Sequence, residues 1–113
     1  YNGKFSLILC NPPYYPAADA AGKDFAAEAC RYELTITPEE IAAAAARCLK
    51  YGGRLCVACL AGRLAEMICV LKKRRLEPKR LKLVSGGGRV YLALVEAVKG
   101  GKAGLEIENE KGN

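Results

Sequence analysis

The run Phe5 to Cys10 (Phe-Ser-Leu-Ile-Leu-Cys) is almost continuously apolar and is stopped by Asn-Pro-Pro, the pattern of a short strand buried on both faces of a parallel sheet. From about Pro16 to Tyr32 alanine and glycine dominate, which reads as a loop turning helical near Phe25 to Arg31. Thr37-Pro38-Glu39-Glu40 then carries three helix-start signals: Thr as N-cap, Pro at the first helical position, and Glu three residues after the cap. The helix is predicted to run to about Lys50, where Gly52-Gly53 stops it. Arg54 to Leu60 reads as a second buried strand. Leu64, Ile68 and Leu71, with Met67 adjacent, recur at helical spacing and lead into Lys72-Lys73-Arg74-Arg75, suited to a helix C-terminus. Leu76 to Val84 and Val90 to Val98 are two further apolar stretches joined by Ser85-Gly86-Gly87-Gly88-Arg89, an antiparallel hairpin pattern. The prediction is an α/β fold with a mixed sheet of about four strands ending in that hairpin. Residues 1–107 form the folded part, and Glu108 to Asn113 a frayed polar tail.

Composition fits this plan. The chain has 113 residues, 51% of them hydrophobic, enough for the core of one ordinary domain. Eighteen Lys and Arg against twelve Asp and Glu leave a net charge of +6, a bias towards polyanionic partners. No apolar run approaches the roughly 20 residues of a membrane helix, and there is no signal-peptide pattern, so a soluble, cytoplasmic protein without a membrane partner is expected. In that setting the six cysteines read as reduced thiols. Cys56-x-x-Cys59 resembles half a zinc site, yet the chain has no His and no second such pair. The two thiols would also face opposite sides of a strand, so no metal is expected. A start at Tyr1 without an initiator Met, directly before a strand, suggests a piece of a longer protein.

The chemistry concentrates in Asn11-Pro12-Pro13-Tyr14, placed directly after the first strand. In open α/β sheets ligands bind beyond the carboxyl ends of the strands. Two prolines fix the backbone and remove two N–H groups, leaving carbonyl acceptors in a rigid loop, and the Asn side chain adds another. A planar exocyclic amine is a poor nucleophile because its lone pair is delocalised into the ring. Two acceptors gripping its hydrogens, Asn11 Oδ1 and the Pro12 carbonyl, favour the pyramidal, reactive form. Tyr14 offers a π face on which an extruded base can stack, worth roughly 1–3 kcal/mol. A bare Asn-Pro-Pro also serves as a simple strand-ending turn. The full tetrapeptide, followed by a helix and a Gly-Gly strand, favours the chemical reading.

With these residues the chain resembles the bacterial tRNA adenine-N6 methyltransferases that modify the nucleotide beside the anticodon of valine tRNA, over Phe5 to Ile107. The matching elements are Cys10 to Tyr14, Arg31-Tyr32-Glu33, Leu49 to Gly53, Arg63 with Glu66, Glu77 to Arg80, and Glu96 to Leu105. The resemblance implies the C-terminal half of a Rossmann-like class I methyltransferase using S-adenosylmethionine. Asn11, Pro12, Pro13 and Tyr14 would form the target-base pocket, and Asn11 would also border the cofactor. It implies a tRNA partner, with Arg31, Lys79, Arg80, Lys99 and Lys102 at positions suited to RNA contact. Lys72 to Arg75 form a further basic block able to meet phosphate. The chain departs from the family in lacking a glycine-rich cofactor loop and an acidic ribose-binding residue on earlier strands. Its glycine cluster, Ser85 to Arg89, lies between hairpin strands instead of at a strand-to-helix turn, so this chain alone is expected to be inert. Two other readings stay open: methylation of a release-factor glutamine amide, which the same tetrapeptide grips equally well, and a non-catalytic RNA-binding or assembly module. The strand Phe5 to Cys10 is expected to expose an open edge through which the chain self-associates.

Overall fold

The structure, a computed structural model, describes residues 2–11 and 37–108. Pro12, Pro13, Tyr14, Arg31 and the helix expected near Phe25 to Arg31 lie outside the described residues.

Strand β1 (Phe5–Cys10) is followed, beyond the undescribed segment, by helix α1 (Pro38–Cys48) and strand β2 (Leu49–Leu60). A short 3-10 turn (Ala61–Arg63) leads into helix α2 (Leu64–Lys73), and strands β3 (Leu76–Gly86), β4 (Arg89–Lys99) and β5 (Glu106–Glu108) complete the chain. Helix α1 begins where the sequence signals it. Thr37 Oγ1 accepts from the Glu40 amide at 3.1 Å, and Glu40 Oε1 accepts from the Thr37 amide at 2.9 Å, a closed capping box.

The sheet order is β1-β2-β4-β3-β5. β1 pairs parallel with β2, and β4 returns antiparallel between β2 and β3. The β2-α2-β3 crossover therefore leaves a gap that the last long strand fills. β5 adds a fifth strand that the sequence pattern does not indicate, parallel to β3, with Arg80 opposite Glu106 and Lys82 opposite Glu108. Pro78 is accommodated because β3 shifts register between Pro78 and Arg80, where the ladder is already interrupted.

Gly52-Gly53 does not cap the helix. α1 ends at Cys48, and strand β2 starts at Leu49, five residues before the predicted Arg54. The two glycines instead make a bulge in β2: Phe5 faces Leu49 and Leu7 faces Arg54, so residues 50–53 loop out. Gly52 takes φ +84, and a Cβ on Gly53 would lie 3.0 Å from the Phe5 carbonyl oxygen. The bulge needs glycine at both places.

Both helices cover one face of the sheet. Leu55, Val57 and Cys59 of β2, with Ala93, Val95 and Ala97 of β4, meet Ile41, Ala42 and Ala45 of α1 and Met67, Val70 and Leu71 of α2 in one buried cluster. The alanines on β4 let the helices approach closely. The opposite face carries no helix among the described residues. Phe5, Leu7 and Leu9 on that face are 43%, 52% and 74% exposed, which corrects the reading of β1 as buried on both sides. Only its alternate residues Ile8 and Cys10 pack against the core.

Among the described residues β1 is the last strand on its side of the sheet, and its run is apolar and uncharged. We expect the 113-residue chain to self-associate through the exposed side chains of Leu7 and Leu9. Leu7→Lys with Leu9→Lys should yield a monomer by light scattering; an unchanged chain that stays monomeric at high concentration would refute this. None of the described helices is long and apolar enough to cross a membrane.

Candidate functional site

Asn11 directly follows β1, whose end is pinned by the pairing of Cys10 with Val57, and its side chain is exposed. The direction of the elements brings other features to this end of the sheet. α1 runs opposite to β2, so its capped N-terminus lies here, and Glu40 and Ile41 share with Cys10 a cavity of about 510 Å³ beside β1. On the helix-free face, Asn11 and Leu9 border a second cavity of about 450 Å³ that also reaches Cys56, Leu94, Glu96 and Arg80. At the N-terminus of α2, Arg63 and Glu66 pair at 2.8 Å.

Among the described residues expected to contact RNA, Arg80 shares the second cavity with Asn11. Its guanidinium donates from Nε to Glu108 at 3.0 Å and from Nη1 to Glu96 at 3.3 Å. These partners, Glu108 foremost, hold its pKa above the usual arginine value. Glu96 also accepts from Arg54 at 3.0 Å, so an ionic row crosses the face from β2 through β4 to β3 and β5. Sequence reasoning missed Glu96 and Glu108. A single carboxylate inside the otherwise apolar strand β4 was the available signal, since a half-buried charge needs a partner. Lys79, Lys99 and Lys102 lie at the other end of the sheet. Lys79 Nζ donates to the Lys102 carbonyl at 2.6 Å and Lys99 Nζ to the Leu49 carbonyl at 2.8 Å.

Three thiols, those of Cys10, Cys56 and Cys59, are held in the neutral form. Burial pushes the pKa of Cys10, Cys56 and Cys59 up, and at Cys56 the nearby Glu96 carboxylate pushes further. Cys59 lies in the core beneath the helices, whereas Cys56 faces Glu96 across β4 on the open side. Among the described residues no three potential metal ligands converge.

The cofactor implied by the resemblance finds no cradle in the described residues. Gly87 and Gly88 adopt φ +62 and +79 at the turn between β3 and β4, the left-handed pair that a tight hairpin requires. That turn joins two strands, so it lacks the helix N-terminus that a phosphate- or nucleotide-binding glycine loop feeds.

No protein-family model matches the sequence, and comparison with curated proteins finds no match. Solved structures do match. A predicted O-methyltransferase, protein Atu636 from Agrobacterium tumefaciens, aligns with a TM-score of 0.68 and 21% identity over 96% of this chain and 42% of its own. TTHA0409 from Thermus thermophilus, a candidate DNA modification methylase, aligns with a TM-score of 0.53 and 18% identity over 89% of this chain and 48% of its own. The chain spans less than half the length of either protein, and over that length it shares their α/β fold.

Proposed function

We propose that this chain is the acceptor-side half of an S-adenosylmethionine-dependent methyltransferase that modifies the N6 amine of adenine in tRNA, the donor being held by the remainder of a longer protein. The carrying observation is position. Asn11 opens Asn11-Pro12-Pro13-Tyr14 at the carboxyl end of β1, the strand that pairs parallel with β2. An exposed carboxamide there can accept one hydrogen of a flat exocyclic amine. The Pro12 carbonyl, which has no neighbouring N–H from Pro13, can accept the other. Held in this way, the nitrogen lone pair is directed out of the ring plane towards an approaching methyl group, and orientation supplies much of the acceleration. Tyr14 would stack on the base.

A nucleic-acid acceptor agrees with the +6 charge and with the DNA-directed description of TTHA0409. The decisive assay offers labelled S-adenosylmethionine to the longer protein together with tRNA or with a release factor. Label on N6-methyladenosine in digested tRNA is the expected result. Label on the release factor alone would assign the pocket to a glutamine amide instead.

A further inference from the structure

Many of the described basic residues, scattered along the sequence, come to the end of the sheet away from Asn11. Lys4 and Asn11 flank the two ends of β1, about 23 Å apart at roughly 3.3 Å per residue. At the Lys4 end the Gly3 amide donates to the Arg47 carbonyl and the Lys4 amide to the Cys48 carbonyl, both at 2.9 Å. The bulge of β2 presents Lys50 and Tyr51 beside them. The Gly100 amide donates to the Arg75 carbonyl at 2.9 Å, which brings in the end of α2 with its run 72–75.

Part of this charge has a structural use. Arg47, Lys72 and Lys73 complement the dipoles of two helix C-termini, and Lys72 pairs with Glu77 at 3.1 Å. Lys4, Lys50, Arg74 and Arg75 are exposed and form no ion pair with another described residue.

Two observations mark the patch as more than a solvated surface. Tyr51 is 74% exposed yet held in place: Lys99 Nζ sits 4.8 Å from its ring centroid, and its ring packs so closely on Gly100 that a Cβ there would approach to 2.9 Å. Arg75, in turn, takes φ +61 just past the end of α2, where glycine or asparagine is the favoured residue. It is the only non-glycine residue with positive φ among the described residues. An arginine kept in a backbone conformation that disfavours it points to a use for its side chain.

We propose that this pole is a second nucleic-acid-binding surface, gripping phosphates with Lys4, Lys50, Arg74 and Arg75 and stacking a base on Tyr51. An exposed aromatic among cations suits an unpaired strand. An anionic membrane is bound by an amphipathic helix with cations along an apolar face, whereas these four cations sit in the β2 bulge and at the ends of β1 and α2. The surface is separate from the acceptor pocket, so the proposal stands whichever group is methylated.

The test is fluorescence anisotropy of the 113-residue chain with a short labelled single-stranded RNA, without methyl donor, as salt is raised. Lys50→Glu with Arg74→Glu should weaken binding roughly tenfold or more and flatten the salt slope by about 0.7 for each phosphate no longer neutralised. Tyr51→Ala should weaken it about tenfold. Arg75→Gly gives opposite signs in two readouts: the melting temperature rises by roughly 4 °C as the backbone strain is relieved, while RNA affinity falls. Arg89→Glu, in the hairpin turn at the other end of the sheet, should have little effect. Equal losses in Arg89→Glu, unchanged affinity in the other variants, or binding to phosphatidylserine vesicles without RNA binding would overturn the proposal.

Discussion

Replacing Asn11 with alanine is expected to lower methyl transfer by the longer protein on the order of 10²–10³-fold, the usual consequence of deleting one preorganised hydrogen-bonding group at a reacting centre. The loss should fall on kcat more than on KM. The deleted acceptor acts as the amine becomes pyramidal, whereas stacking on Tyr14 holds the base in both states. The fold should be unaffected, because Asn11 is exposed and its side chain bonds to no other described residue. Asn11→Asp keeps an acceptor at the same place and should retain more activity than Asn11→Ala. Rates measured with a labelled donor, alongside thermal melts of each variant, separate these effects. Full activity in Asn11→Ala, with tRNA methylated as before, would remove the tetrapeptide from the reaction.

Local signals in the sequence carry over into the structure, and features that depend on pairing are not visible in it. Helix α1 starts at Pro38 because the whole capping box, Thr37 with Glu40, is contained in four consecutive residues. The β3–β4 hairpin is legible for the same reason: Gly87 and Gly88 supply both left-handed positions of the turn. By contrast, Leu105-Glu106-Ile107-Glu108 alternates apolar and polar residues over only four positions, too short a run to stand out as a strand. It becomes β5 only because β3 lies alongside and Arg80 draws in Glu108. Gly52-Gly53 carries two meanings, helix stop and strand bulge, and the pairing of β1 with β2 selects the second. The apolar run of β1 reads as two buried faces, but a run records what a strand is suited to meet, and here one face meets no helix among the described residues. In the candidate site, Asn11 is singled out in the sequence because it opens a motif of four consecutive residues. The basic pole is only half legible: the run 72–75 is visible as a block, while its meeting with Lys4 and Lys50 follows from strand order.

The two faces of the sheet should also differ sharply in energy, and Leu55→Ala against Leu9→Ala measures the difference. Leu55 is fully buried, flanked in register by Ile8 on β1 and Ala97 on β4. Its smaller neighbours Ala97 and Ala45 have no side-chain length with which to fill the space. A cavity should therefore persist, placing the cost in the upper part of the usual range of about 2–5 kcal/mol for truncating a buried leucine. Domains of this size are stable by only about 5–15 kcal/mol, so much of the chain's stability would go with one side chain. Leu9 is 74% exposed, and its truncation should change stability by no more than about 0.5 kcal/mol. Urea unfolding at a concentration low enough for light scattering to show a monomer is the measurement, because association through Leu7 and Leu9 would add a concentration-dependent contribution. Equal losses at the two positions in the monomer would overturn the assignment of Leu9 to an exposed face of the sheet.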